Sequence, residues 1–499
     1  MKILFPMVKQ LLKHIWRHKE VVLIVILATW LRVWQLDTHL ILFGDAAFDI
    51  QNAITAVKQH QLPLLGIASS VPRFKQGPLT VWLEMIIYLI AGQNLLVFGV
   101  IFASLGILAV IGVYELFASE GRERLGLLSS FLFAFSPLAV AHSRMPYHIV
   151  PIPLCLVIYF WSLRRLQQKV ADPRRVFVAV FCFCLLFQFE LAMAPLFLLI
   201  PYIFWRNRQR INPKLIGAGL LSLTIGLLPQ IIFDLTHHFA QLGGFLVWVV
   251  YRVVALGAVK HAHGLSFSHV QQAFTAFELY FGKIWSVNLP WLAVVMTGVA
   301  LWGFVWLGKL LRQSKLKTGV LEIVFIATAL LAVGYFIHGS PSEAYFPPWE
   351  VLLPVLAAFC LERLLLSKHV VSRVFVFLVL GAYAVINLGG IVKANFFVST
   401  PDTFSYGPSL AEQYQMVDIL RSFCQPSCHL LTTREDGKFE NFFANYRLLA
   451  PALQLNDVQS SHKIYLETKD SPLRNTLNMM AYDFDVTTVF VPIGTGLTK

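Results

Sequence analysis

Asp45 and Asp49, in the stretch Phe43-Gly44-Asp45-Ala46-Ala47-Phe48-Asp49, stand four residues apart. On a helix that spacing brings both carboxylates to one face. Repulsion between them, beside an apolar medium, raises the pKa of at least one, which suits a general base. The competing reading is an N-cap followed by a solvated acid. Arg73 and Lys75 follow in Val71-Pro-Arg-Phe-Lys-Gln-Gly-Pro78. Cations there invite an anion such as a lipid phosphate, and Gly77-Pro78 permits a sharp turn into the next run. Arg144 and His148 share Ala141-His-Ser-Arg-Met-Pro-Tyr-His148. Arginine binds phosphate bidentately and histidine donates a hydrogen bond or a proton, although either can simply anchor a helix end.

Glu190 interrupts the apolar run FCLLFQFELAMAP. An acid inside such a run is read as functional, with hairpin packing through Gln188 as the alternative. Asp234-Leu-Thr-His-His238 offers an acid and two imidazoles. Adjacent histidines rarely ligate one ion, so Asp234 and His237 are read as substrate hydrogen-bonding groups or interface anchors, and no metal ligands are assigned. In His338-Gly-Ser-Pro-Ser-Glu-Ala-Tyr-Phe-Pro-Pro-Trp-Glu350, Glu343 and Tyr345 join the candidates. An interfacial aromatic belt would also explain the tyrosine. His261 and His263 are read as surface residues.

Elements buried in a membrane must position these groups. The chain has 499 residues, 57% hydrophobic and 13% charged, with mean hydropathy +0.66, whereas a soluble domain carries roughly a quarter charged residues. That excludes a water-soluble fold. Apolar stretches long enough to span recur from residue 21 to residue 392 and predict about 10–12 spans, in runs too long and continuous for a membrane barrel. The net charge of +13 is uneven: residues 393–499 hold nine Lys/Arg against eleven Asp/Glu, a net of −2, leaving +15 for residues 1–392. The excess sits in short clusters around Lys13, Arg165, Arg208, Lys315 and Arg363. That is the positive-inside pattern and argues against a nucleic-acid surface.

With those clusters in the cytoplasm, residues 37–77, 142–148, 234–287 and 338–350 are external loops of a transmembrane domain over 1–392. Residues 393–499 then form a soluble extracytoplasmic α/β domain, with a helix over 410–423 and strands near 428–433, 463–468 and 486–491. No small-residue cleavage site follows residues 21–36, so this run reads as a retained first span. Parity makes one of the runs 78–91, 95–118 and 125–141 a partial segment, and the first is favoured. The run 176–205 reads as a hairpin of short halves turning near Gln188–Glu190. Cys424 and Cys428 lie in that tail, where a small-loop disulfide is expected outside the cytoplasm.

These residues resemble polytopic glycosyltransferases of the C-type fold (GT-C), specifically the family 39-like enzymes related to protein mannosyltransferases and the lipid A aminoarabinose transferase. In that family an Asp after the first span is the catalytic base, often as Asp-Glu. Asp45 matches it, with Ala46 in place of the Glu, and Asp49 resembles a second acid of some bacterial branches. Gly77-Pro78 resembles the Pro-rich start of the second span. Ser143-Arg144 resembles the Ser-Arg start of the second external loop, without the acid that commonly follows. Tyr345 and its prolines resemble the aromatic-Pro loop before a late span. The resemblance implies an all-α polytopic bundle that transfers a sugar from a polyprenyl-phosphate donor to an acceptor hydroxyl, with inversion, on the extracytoplasmic face of the plasma membrane. Asp45 would take the acceptor proton, while Arg73, Lys75 or Arg144 would stabilise the departing phosphate. No cofactor is required by this chemistry, and a divalent cation can be accommodated. The partners implied are the lipid-linked donor, membrane lipid and a glycan, lipid or protein acceptor. The rival reading, a lipid or solute transporter, would put ionisable groups near the bilayer midplane, often with repeated halves. The acids here cluster at span ends.

Overall fold

A computed structural model describes residues 19–69, 71, 74–257, 267–286, 289–313, 319–339, 341–393, 406, 408–424, 428–431, 440–453, 455, 463–468, 479–483 and 487–492. The chain is a polytopic, mainly helical membrane protein with a few strands near its C-terminus. Four described helices are long and apolar enough to cross a membrane: Leu95–Ala118, Pro290–Arg312, Val320–His338 and Val370–Val392. Two bent pairs raise the number to six, Glu123–Ala134 with Pro137–Ser143 at 66° and Pro213–Gly226 with Leu228–Thr236 at 72°. These uninterrupted spans are fewer than the apolar runs suggested, because several runs are broken. At the first bend Ser136 accepts from the Ala139 amide and Pro137 opens the new helix, so a cap and a fixed φ restart the coil inside an apolar run.

The first helix, Lys19–Val33, ends at Gln35, whose φ of 50° turns the chain into the short helix Leu36–His39. Residues 40–43 run extended to Gly44–Lys58. This helix is amphipathic: Ala46, Ala47, Ile50, Ala53 and Ile54 are fully buried, whereas Asp45 and Phe48 face outward. A small hairpin follows, in which the Gly66 amide donates to the Gln76 carbonyl and the Gln76 amide to the Ile67 carbonyl, beside a bridge between Ala68 and Lys75. Gly77 then passes so close to Gln188 that a Cβ would meet Gln188 Oε1 at 1.9 Å, so no larger residue fits. Leu79–Ala91 has 13 residues, about 20 Å of helix against a hydrocarbon core of about 30 Å. Of the three runs among which parity expected one partial segment, it is the favoured one, and it is short; the third, 125–141, is itself bent.

The expected break at Gln188–Glu190 is present. Pro173–Phe189 stops at Glu190, whose side chain caps a 3-10 helix, Leu191–Leu198, and Leu199–Arg206 completes the return. Residues 234–287, anticipated as an external connection, are largely two helices, Ala240–Gly257 and Phe267–Trp285. Near the C-terminus four strands, β1 (His429–Leu431), β2 (Lys463–Thr468), β3 (Met479–Asp483) and β4 (Thr487–Pro492), form a sheet of order β1-β2-β4-β3. β1 and β2 are parallel and the other pairs antiparallel. A Cys424–Cys428 disulfide joins the end of helix Leu410–Phe423 to β1. At the end of the bundle carrying the basic clusters, Glu120 accepts from Arg164 at 2.7 Å and Arg206 meets Glu322 at 3.1 Å. The candidate acids gather at the opposite end.

Candidate active site

Helix Gly44–Lys58 starts one residue before Asp45, which leaves that carboxylate exposed at its first turn. The Tyr147 hydroxyl donates to Asp45 Oδ2 at 3.3 Å. The Tyr147 ring packs edge-on against Phe43 and against its neighbour His148. His148 Nε2 lies 3.4 Å from Glu190 Oε2, and Glu190 Oε1 accepts from Gln76 Nε2 at 3.0 Å and from the Ala192 amide at 3.2 Å. Gln76 in turn accepts from the Leu191 amide. Two hydrogen-bonded groups, Asp45 with Tyr147 and His148 with Glu190 and Gln76, thus meet through the edge-on contact of the Tyr147 and His148 rings, and every member after Asp45 is buried. Sequence spacing pointed to four of these positions, counting Asp49 beside them. Tyr147 and Gln76 went unremarked.

Asp49 is 1% exposed, faces Glu84 of Leu79–Ala91, and neither carboxylate has a hydrogen-bond partner among the described residues. Burial pushes the Asp49 pKa up from 3.8 to about 7, with Asp45 adding to the rise and His148 opposing it. The anticipated repulsion of Asp45 is therefore real but secondary to desolvation. For an acid with a raised folded-state pKa, the associated stability is fully present below about 3.8 and is lost as pH rises through about 7. Asp49→Asn is expected to gain on the parent by up to about 4 kcal/mol from pH 4 to pH 8. Melting curves in detergent across that range check this, and a constant difference would contradict the raised pKa.

A second polar group lies at the same end. His142 is 2% exposed and places Nδ1 on Glu350 and Nε2 3.1 Å from Glu343 Oε1. Lys283 Nζ donates to Glu343 Oε2 at 3.0 Å, and the Tyr406 hydroxyl donates to Glu343 Oε1. Arg32, fully buried, is near enough to Glu350 to offset its charge. Burial alone would raise Glu343, but the His142 hydrogen bond, Lys283 and Tyr406 outweigh it and hold the carboxyl down at about 2. Glu343, named from sequence, is thus fully engaged in an ion-paired brace. Its partners His142, Lys283, Glu350 and Tyr406 were not foreseen.

The other candidates separate. Arg144 is 4% exposed and directs its guanidinium to the carbonyls of Leu31, Gln35 and His39, where it closes the end of the first helix. Lys75 is exposed, its amide bound to Gln241 Oε1. Arg73 lies outside the described residues. Asp234 accepts from the Gln241 and Leu242 amides and so caps helix Ala240–Gly257. His237 is exposed and stacked on Phe233. Tyr345 is buried with its hydroxyl 3.2 Å from His338. Among the described residues no three His, Cys, Asp or Glu side chains converge to hold a metal ion.

Comparisons with known proteins bear on this arrangement. Residues 75–233 match the sequence family of dolichyl-phosphate-mannose-protein mannosyltransferases. No curated protein matches the chain. Among solved structures, ArnT from Cupriavidus metallidurans bound to undecaprenyl phosphate superposes with a TM-score of 0.58, at 13% identity, over 95% of this chain and 98% of that one. The chain has the GT-C glycosyltransferase fold. An oligosaccharyltransferase of Archaeoglobus fulgidus tethered to an acceptor peptide containing the NVT sequon shares this GT-C likeness, with a TM-score of 0.51 and 13% identity, over 90% of this chain and 65% of that one. The oligosaccharyltransferase AglB from the same organism, in complex with an inhibitory peptide and a dolichol-phosphate, gives 0.50 at 14% identity, over 89% and 61%. In helix Gly44–Lys58 the exposed acid is Asp45.

Proposed function

We propose that this chain transfers a sugar from a polyprenyl-phosphate-linked donor to an acceptor hydroxyl on the extracytoplasmic face, with inversion and with Asp45 as general base. The observation that carries the reading is the Asp45 carboxylate itself. It is open to solvent at the first turn on the outward face of an amphipathic helix, met by the Tyr147 hydroxyl and adjoining the buried groups His148, Glu190 and Gln76. As the acceptor oxygen bonds to the anomeric carbon, Asp45 takes its proton. The bond from that carbon to the phosphate oxygen breaks on the opposite face, and polyprenyl phosphate leaves. Of the two described cations first considered, Lys75 is the one whose side chain is exposed to meet that phosphate. Sidedness is supported by the basic clusters at the far end and by the disulfide in the tail. In this reading residues 1–392 form the membrane catalytic domain, 393–499 the extracytoplasmic domain, and a divalent cation remains compatible with the donor phosphate.

Incubation of the purified protein with a panel of polyprenyl-phosphate sugars, each together with glycan, lipid and peptide hydroxyl acceptors, tests the proposal. Release of free polyprenyl phosphate, together with a product of inverted anomeric configuration, is expected for at least one donor. Release from none, or a product of retained configuration, would overturn it. Arg144→Lys sharpens the assignment of cations: loss of its fork of hydrogen bonds is expected to cost about 1–3 kcal/mol of stability. Affinity for polyprenyl phosphate should stay within about twofold, since the hydrogen bonds lost all go to backbone carbonyls; a larger fall in affinity with unchanged melting would restore Arg144 to the phosphate.

A further inference from the structure

The connection that delivers Asp45 is gripped from both sides. Residues 40–42 are at most 1% exposed and extended, and they lie between the end of the first helix and the start of Gly44–Lys58. On one side the Ile41 amide donates to the Arg144 carbonyl at 2.9 Å. On the other, the Leu42 carbonyl, three residues before Asp45, accepts from two side-chain amides of the C-terminal region, Gln413 Nε2 at 3.0 Å and Asn445 Nδ2 at 2.9 Å. Both amides are 0% exposed, and Asn445 Nδ2 also donates to Gln413 Oε1 at 3.1 Å. Gln413 has a second tie within its own segment, to the Pro408 carbonyl at 3.0 Å. The helices that carry them extend the grip: Leu410–Phe423 packs on Leu36–His39, and Glu440–Leu449 packs along Gly44–Lys58 itself.

We infer that Gln413 and Asn445 are positioning residues for the transfer reaction, and that the C-terminal region clamps the Leu42 carbonyl to fix where Asp45 stands. The inference rests on the reading of Asp45 as the base. Among the described residues Asp45 has one side-chain hydrogen bond, at 3.3 Å, so its place is set mainly by the backbone that precedes it. Two amides converging on one buried carbonyl leave that backbone little freedom, because a buried carbonyl stripped of its donors must find others or move. Misplacement of a reacting group by about 1 Å costs on the order of 10²-fold in rate. The C-terminal region therefore acts on the chemistry through the helix that carries Asp45.

Gln413→Met and Asn445→Leu keep approximate size and remove the donors. With full-length protein in detergent and a polyprenyl-phosphate sugar donor, each is expected to lower kcat per folded molecule by about tenfold or more. KM for the donor and binding of polyprenyl phosphate should stay within about twofold of the parent. Should either variant fail to fold, Gln413→Asn, which keeps the amide and shortens its reach by one methylene, carries the same expectation. Asp45→Asn run alongside separates the two claims. Transfer retained in Asp45→Asn removes the base assignment itself. Transfer lost there but unchanged per folded molecule in the folded amide variants overturns the clamp alone, as does a loss confined to KM.

Discussion

Asp45→Asn is expected to lower sugar transfer by about 10²- to 10⁴-fold, the range a positioned general base contributes, while the protein still inserts and melts as the parent does. The stability expectation follows from exposure. Asp45 is solvent-accessible and gives up one 3.3 Å hydrogen bond from Tyr147, which an amide oxygen can still accept. A radiolabelled polyprenyl-phosphate sugar, followed into product, reads the rate. Transfer within threefold of the parent would remove Asp45 from the mechanism. Tyr147→Phe supplies the internal comparison, since it loses only the group that orients the carboxylate. Its loss should be smaller, and should appear in kcat with little change in KM.

His142→Leu is expected to carry the largest stability cost, roughly 3–5 kcal/mol, because it strips the shared cation from two buried or half-buried carboxylates. Glu350 is 1% exposed, and after the substitution its charge would be opposed only by the more distant Arg32. Removing both partners, as His142→Leu with Glu350→Leu, should return part of that loss, because the Glu350 charge goes with the imidazole while Glu343 keeps Lys283 and Tyr406 and buried Arg32 loses Glu350. Chemical unfolding of the four proteins of this cycle in detergent checks the claim. A double variant as unstable as the single one would show that the brace is held by something other than the pairing of His142 with Glu350.

Much of the bundle was legible because apolar run length is a direct physical consequence of the bilayer. That one of three early runs is short, with Leu79–Ala91 favoured, and that the run between two basic clusters breaks near Glu190 could both be read from run length and sidedness. The number of uninterrupted spans was not legible. Ser136-Pro137 and Leu228-Pro229 restart helices inside runs that remain apolar throughout, so hydropathy passes over bends that caps and prolines create. Within the site, Asp45, Asp49, His148 and Glu190 were visible as polar groups in apolar surroundings. Glu84, in LTVWLEMIIYLIA, and Glu350, in the PPWEVLLPVLAAFCLERLL helix, carry the same signal and were overlooked. For Arg144 the sequence left two roles open, because a guanidinium that binds phosphate and one that closes a helix end look alike there, and its hydrogen bonds to backbone carbonyls favour the second. Lys283, Tyr406, Gln413 and Asn445 had no local mark at all, since their importance comes from partners 60 to 403 residues away in the chain.

Sidedness can be measured with a cysteine in place of Asp45 and a membrane-impermeant thiol reagent. The account predicts labelling of Asp45→Cys in intact cells, blocked by prior addition of polyprenyl phosphate, with the parent protein as the background. Labelling that occurs only when the cytoplasmic face is opened would put this carboxylate on the wrong side of the bilayer and contradict the account.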